Sequence, residues 1–271
     1  MRVTVLGCGG AGGLPLIGRN WGACDPNEPK NRRRRASIMV EPAGARILID
    51  TSPDMREQLI DAGVSSVDAI LFTHEHADHL HGIDDVRTLN RINRRVIDAY
   101  GASRCLAVIG KRFDYVFTPP PVEGGKPAFF KPCLADHEVT PGEIFTAAGV
   151  DVLPFAQDHG FMTTLGFRFG DFAYSTDVVN LDEAAFAALA GVKVWLVGCL
   201  GYEPHPTHAH LDRVLSWIER VRPARAILTH MAGALDYRRL RTTLPKGVEP
   251  AYDGMVLEIE GDRPRENPNV K

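Results

Sequence analysis

Thr73-His74-Glu75-His76-Ala77-Asp78-His79-Leu80-His81-Gly82 sets four histidines and Asp78 within positions 74–81, directly after the apolar run Ala69-Ile70-Leu71-Phe72. A short apolar run of this kind reads as a buried strand, so the histidines leave it at its C-terminal end. Imidazole suits Zn, Mn or Fe, and a carboxylate adds a hard oxygen ligand. A His/Asp set without cysteine points to a catalytic rather than a structural metal site. Alternation of His74 and His76 on extended backbone puts both rings on one side, while Asp78 and His79 turn toward a second ion as the chain enters a helix. Two metals are expected.

Three other runs end in the same way. Arg46-Ile47-Leu48-Ile49 ends in Asp50, Phe172-Ala173-Tyr174-Ser175-Thr176 in Asp177, and Ala226-Ile227-Leu228-Thr229 in His230. Each reads as a strand delivering a polar group at its C-terminal end, and ends that share one sheet edge would converge on one site. His159, in Gln157-Asp158-His159-Gly160, completes the candidate ligands: His74, His76, Asp78, His79, His159, Asp177 and His230. Histidine-rich tracts also occur as adventitious binders. This one is internal, strand-delivered and matched by distant partners.

Helical spacing of apolar residues marks Met55, Leu59 and Ala62, then Phe186 and Leu189, then Leu211, Val214, Leu215, Ile218 and Val221 before Pro223. Phe167-Arg168-Phe169-Gly170-Asp171-Phe172 alternates around Gly-Asp as a tight hairpin does, and Glu41-Pro42-Ala43-Gly44 marks another turn. The sheets are therefore mixed. Residues 118–132, rich in proline, form no convincing element and are expected to be a loop or lid. No repeat or linker divides residues 1–271, which read as a single α/β domain. Gly7, Gly9 and Gly12 follow a strand in dinucleotide-fingerprint spacing, but Pro15, Gly18, Gly22, Pro26 and Pro29 forbid the helix that fingerprint needs.

Composition narrows the classes further. With 44% hydrophobic and 24% charged residues in 271, the chain is neither a disordered polyelectrolyte nor a membrane bundle. A formal net charge of −3 removes bulk attraction to long nucleic acid. Cysteines 8, 24, 105, 133 and 199 are scattered and odd in number, so a disulfide framework is not indicated and a reducing cytoplasm fits best. The apolar stretch near the start is too short for a secretory segment, and nothing approaches a membrane span.

H-x-H-x-D-H followed by distant His, Asp and His resembles the metallo-β-lactamase superfamily. That resemblance implies a four-layer αββα sandwich. It also implies His74, His76 and His159 on one ion, Asp78, His79 and His230 on the other, and Asp177 bridging. Asp50 matches an aspartate that supports the ligand loop by hydrogen bonds. Within the superfamily the chain is similar to the PhnP-type phosphodiesterases. The similarity covers Leu6-Gly7-Cys8-Gly9 with Pro15, Asn31-Arg32-Arg33 to Ser37, the ligand loop, Ser175-Thr176-Asp177, Leu228-Thr229-His230 and Tyr252-Asp253-Gly254-Met255. That branch carries a structural zinc on three cysteines and a histidine. Here only Cys24 remains, with Arg19, Trp21 and Gly233 at the other positions, so that zinc is expected to be absent.

The resemblance implies hydrolysis of a small cyclic or nucleotide phosphodiester by a hydroxide held between two Zn2+ or Mn2+ ions. Asp78 would orient or deprotonate the nucleophile. A leaving alkoxide needs an acid, and His205, His208 and His210 are candidates. The 22-residue spacing from His208 to His230 resembles the arrangement in related phosphodiesterases and tRNase Z, so His208 is the expected general acid, with His205 the alternate. Arg32 and Arg33, in the run Arg32 to Arg35, are candidate phosphate contacts. His81 and His137 suggest no partner. The expected partner is a small phosphodiester or nucleotide-like substrate, with no membrane or long nucleic acid and a homodimer open. Competing readings are a lactamase- or glyoxalase-II-like hydrolase, a tRNase Z-like nuclease, and a non-catalytic binding protein.

Overall fold

In chain order the first half holds β1 (Arg2–Gly7), β2 (Ser37–Glu41), β3 (Ile47–Ile49), α1 (Met55–Asp61), β4 (Ala69–Leu71), α2 (Ala77–Leu80), α3 (Val86–Asn93), β5 (Ile97–Gly101), α4 (Ser103–Arg112), β6 (Val122–Glu123), β7 (Lys126–Pro127) and β8 (Leu134–Glu138). The second half holds β9 (Phe145–Ala147), β10 (Val150–Asp158), β11 (Thr163–Phe169), β12 (Phe172–Ser175), α5 (Glu183–Leu189), β13 (Val194–Gly198), α6 (Leu211–Val221), β14 (Arg225–Thr229), α7 (Tyr237–Thr243), β15 (Val248–Pro250) and β16 (Val256–Glu258). The structure, a computed structural model, describes residues 1–260. Residues 261–271 of the expected domain lie outside the described residues.

One seven-stranded sheet has the order β16-β1-β2-β3-β4-β5-β8, antiparallel from β16 to β3 and parallel from there to β8. The other has the order β15-β14-β13-β12-β11-β10-β9, parallel from β15 to β12 and antiparallel to β9. Both sheets are mixed, as expected.

Side-chain alternation assembles the layers. Ile47 and Ile49 of β3 and Ala69 and Leu71 of β4 share a core with Phe167 and Tyr174 of the opposite sheet. Leu48 and Ile70, pointing the other way, pack with Met55 and Leu59 of α1, Val86 and Leu89 of α3, and Cys105 and Ile109 of α4. A strand covered on both faces has no polar side, which is why these segments read as continuous apolar runs. Beyond the second sheet, Leu189 of α5 and Val214 and Trp217 of α6 close the fourth layer.

The helix ends follow from local chemistry. Asp182 accepts the Ala185 N–H at the start of α5, and α6 stops at Arg222 in the left-handed region, just before Pro223. The Gly170-Asp171 hairpin joins β11 to β12 in the register expected. Residues 118–132 differ from expectation. They contain the β6–β7 hairpin and are tied to α3 by Arg91 Nε donating to the Phe129 carbonyl at 2.8 Å, and none of them lines the cavity described below. A hairpin could form there because Gly124 and Gly125 take positive φ between two extended pairs.

Candidate metal centre and active site

Five strand ends and one helix bring the seven candidate ligands and Asp50 together. Asp50 follows β3, His74 and His76 follow β4, Asp78 and His79 lie on α2, His159 follows β10, Asp177 follows β12, and His230 follows β14. Asp50, Asp177 and His230 have φ of 65°, 48° and 54°, a left-handed conformation that is uncommon for residues other than glycine. Each marks a strand turned sharply at its end so that the side chain aims back across the sheet edge, strain of the kind that gathers at functional sites.

Two donor groups result. One joins His74, His76, His159 and Asp177, the other Asp78, His79, Asp177 and His230, and within each group the donor atoms lie within 4.8 Å of one another. Asp177 belongs to both. Its Oδ2 lies 3.0 Å from His74 Nε2 and 2.9 Å from His79 Nε2, and its Oδ1 lies 2.9 Å from His230 Nε2. Asp78 Oδ2 is 3.2 Å from His79 Nε2 and 3.5 Å from His230 Nε2.

The ring orientations are set from behind. Asp50, fully buried, accepts the Thr73 N–H and the Thr73 hydroxyl, both at 2.8 Å, and faces His79 Nδ1 at 2.7 Å. With its proton given to Asp50, the Thr73 oxygen accepts from His74 Nδ1 at 2.9 Å. His159 Nδ1 donates to the Thr207 carbonyl at 2.7 Å. In all three rings the proton is thereby assigned to Nδ1 and the Nε2 lone pair is turned inward, the arrangement in which imidazole ligates a metal. His74 Nε2 and His79 Nε2 are buried without an aligned hydrogen-bond partner, and buried polar atoms of this kind call for an ion. The donor set therefore fits two divalent cations.

Electrostatics differ between the groups. Burial lowers the pKa of His76, helped by neighbouring His74, and burial pushes His159 down to about 4, so those rings are neutral and free to ligate. Burial would also lower His79 and His230. Asp177 and the other carboxylates around them prevail, raising His79 well above its ordinary value and His230 to about 9. Burial would raise Asp78, but the neighbouring His79 and His230 imidazoles hold its carboxyl well below the usual range. Asp177 is held low in the same way, chiefly by His230 and His79 against the cost of burial. The carboxylates of the second group thus favour positive charge among its members.

Above the shared carboxylate a cavity of about 150 Å³ is lined by Ala11, His76, Asp78, His159, Phe161, Met162, Asp177, Thr207 and His208. His208 Nε2 lies 3.4 Å from Asp177 Oδ1, its Nδ1 meets the Thr207 hydroxyl at 2.8 Å, and its ring stacks on His230 with centroids 5.1 Å apart. His205 stands exposed behind it, Nδ1 to Nδ1 at 3.3 Å. His210 is the N-cap of α6, away from the cavity.

The arginine run does not serve as expected. Arg33 is only 2% exposed and donates to the carbonyls of Ala232 at 3.2 Å and Leu235 at 2.5 Å, so it staples a loop instead of reaching substrate. Arg32 is exposed over the Trp21 ring and lines a different cavity, with Lys30, Arg34 and Tyr252. Cys24 Sγ donates to the Gly233 carbonyl at 3.4 Å. His137 pairs with Asp98 at 2.8 Å on the surface, and His81 packs edge-on against Phe113. Sequence reading missed four contributing residues. Thr73 stood in the quoted stretch, and its place between Asp50 and His74 was the available signal. The Thr207 carbonyl, a backbone group, left none. Phe161 and Met162 lie within three residues of His159, and that proximity was the available signal.

The chain is similar to several known proteins. Residues 45–231 match the model of the beta-lactamase superfamily domain. A solved structure described as a new diphosphatase from the PhnP family superposes with a TM-score of 0.85 at 34% identity, covering 95% of this chain and 97% of that one. Octanoyltransferase of Porphyromonas gingivalis is 32% identical over 264 residues, 96% of this chain but 52% of that protein. Ribonuclease Z of a Bradyrhizobium species is 28% identical over 145 residues, 52% of this chain and 46% of that protein. The chain spans about half the length of these two curated relatives.

Proposed function

The chain belongs to the beta-lactamase superfamily and, within it, to the PhnP family, and from that premise we propose that it hydrolyses a small cyclic or nucleotide phosphodiester with two divalent ions, Zn2+ or Mn2+. The observation that carries this reading is the pair of donor groups sharing Asp177, with a histidine held over them that belongs to neither. Likeness to a PhnP-family diphosphatase supports chemistry at phosphorus. The octanoyltransferase and the ribonuclease are each about twice as long as the stretch they share with this chain, so their activities are not carried over.

His74, His76, His159 and Asp177 would hold one ion and Asp78, His79, His230 and Asp177 the other. Bound there, such ions supply activation of water at neutral pH and neutralisation of charge on phosphate oxygens. Asp78 lies on the cavity wall with its Oδ2 fixed by two imidazoles, positioned to take the proton of the attacking water. His208 faces the same cavity from the far side of Asp177, and its Nε2 can give a proton to the departing alkoxide. The Thr207 hydroxyl at Nδ1 fixes that ring. Among the described residues no helix is long and apolar enough to cross a membrane.

Assays run in parallel on bis-p-nitrophenyl phosphate, a 2′,3′-cyclic nucleotide, nitrocefin and S-lactoylglutathione, with metal content measured on the same sample, separate the classes. Turnover of the phosphodiesters alone is expected. Turnover only of the lactam or the thioester rejects the proposal.

A further inference from the structure

We propose that Phe161 and Met162 form a base-binding subsite beside the metal centre, so that the substrate is a nucleotide and not a bare sugar or alkyl phosphodiester. The inference rests on the phosphodiesterase reading and names the missing half of its substrate. A single exposed apolar side chain is ordinary on a protein surface. Phe161 is unusual in its place: 88% exposed, yet lining the cavity that holds Asp177 and His208. It sits at the tip of the turn between β10 and β11, two residues after His159.

That turn is rigid. His159 N–H donates to the Met162 carbonyl at 2.9 Å, Phe161 N–H to the His159 carbonyl at 3.0 Å, and Gly160 N–H to Asp158 Oδ1 at 2.8 Å. Gly160 has φ of +77°, and a Cβ there would lie 2.7 Å from the Pro206 carbonyl oxygen, so the turn is seated directly on the loop that carries His205 and His208. The turn that carries His159 therefore also presents the exposed Phe161 ring beside the cavity. Next to it, Met162 lines the cavity with a polarisable thioether and Ala11 offers a further small apolar wall. The rest of the lining is histidine, aspartate and Thr207, which suits phosphate. Polar chemistry on one side and an exposed aromatic face on the other match a phosphate joined to a planar base, and every nucleobase has a π-face that such a ring can stack on.

The test compares wild type, Phe161→Ala and Phe161→Trp, all metal-loaded. Binding of AMP and of inorganic phosphate is measured by calorimetry, and hydrolysis is measured on 2′,3′-cyclic AMP and on the base-free glycerol 1,2-cyclic phosphate. Phe161→Ala is expected to weaken AMP binding about tenfold, the range of one base–aromatic stack. The rise in KM should be at least about fivefold larger for the cyclic nucleotide than for the base-free diester, with Phe161→Trp restoring both readouts. Equal losses on both ligand types, or no loss on either, overturn the subsite. Wild type that hydrolyses both diesters with the same KM does so as well, while leaving the phosphodiesterase reading intact. Conversely, wild type that hydrolyses no diester but binds AMP through Phe161 retains the subsite and removes the phosphodiesterase reading.

Discussion

His208 is the residue at which chemistry and geometry separate most cleanly, because it faces the reacting cavity without belonging to either donor group. His208→Ala is expected to lower kcat about 10²–10⁴-fold on an alkoxide leaving group. The loss should be much smaller on p-nitrophenolate, which departs without a proton, and metal content should be unchanged. Loss of metal in this variant would mean that His208 is a ligand. Asp50 works through its neighbours. Asp50→Asn would turn an amide N–H₂ toward His79 Nδ1, forcing the ring tautomer that puts a proton on Nε2, where the lone pair is needed. About a 10–100-fold weaker hold on metal is expected, with an unchanged circular dichroism spectrum, as for other residues that orient ligands. Retention of both ions at wild-type affinity would contradict this role.

Asp253 gives a pH dependence remote from the metals. Its carboxylate accepts from Arg34 N–H at 2.7 Å and Cys8 N–H at 3.1 Å, and burial pushes its pKa up to about 6 in spite of them. The folded state then holds a proton that the unfolded chain, with its pKa of about 4, has already lost. Stability from this group is accordingly complete below about pH 4 and falls as pH rises toward about 6. Denaturation between pH 4 and 7 should show wild type losing stability relative to Asp253→Asn as pH rises; a difference independent of pH would show that Asp253 titrates normally.

At the scale of elements, the decisive feature is that β3, β12 and β14 end in residues with left-handed backbone, while α2 begins right after His76. The apolar runs and their polar ends were legible because strands buried on both faces leave no other pattern. Arg33 was misread for the converse reason. A run of four arginines looks like a solvated charge, and only the carbonyls of Ala232 and Leu235, about 200 residues away, make burial of one guanidinium tolerable. The docking of α2 has its own test. A Cβ on Gly82 would lie 2.0 Å from the Ser52 carbonyl oxygen, and Gly82 N–H donates to the Thr51 carbonyl at 2.9 Å. Gly82→Ala must push the ligand helix away from the Asp50 turn. A loss of about 1–3 kcal/mol is expected, together with weaker metal binding. Wild-type melting and metal affinity would show that the two segments are not coupled.

Over the whole molecule, two large cores carry the fold, one between the sheets and one under α1, α3 and α4. The two donor groups sit at the sheet edge, draw on both halves of the chain and share Asp177. Ions that bind only the folded state add stability by mass action. Treatment with a chelator is therefore expected to abolish hydrolysis and lower Tm while leaving a cooperative melt and a near-ultraviolet circular dichroism signal. Collapse of that signal would show that the ions are needed to hold the sandwich together.

The order of residues by itself determined which groups could ligate metal, that buried strands deliver most of them, and that the sheets are mixed, since side-chain type and periodicity are local properties of the chain. Which imidazoles share a carboxylate, which arginine is buried, and that an aromatic ring is held open beside the cavity were decided only by tertiary structure. Those depend on contacts between segments up to 200 residues apart, as in the Arg33–Leu235 hydrogen bond, and on backbone atoms whose position no residue type encodes.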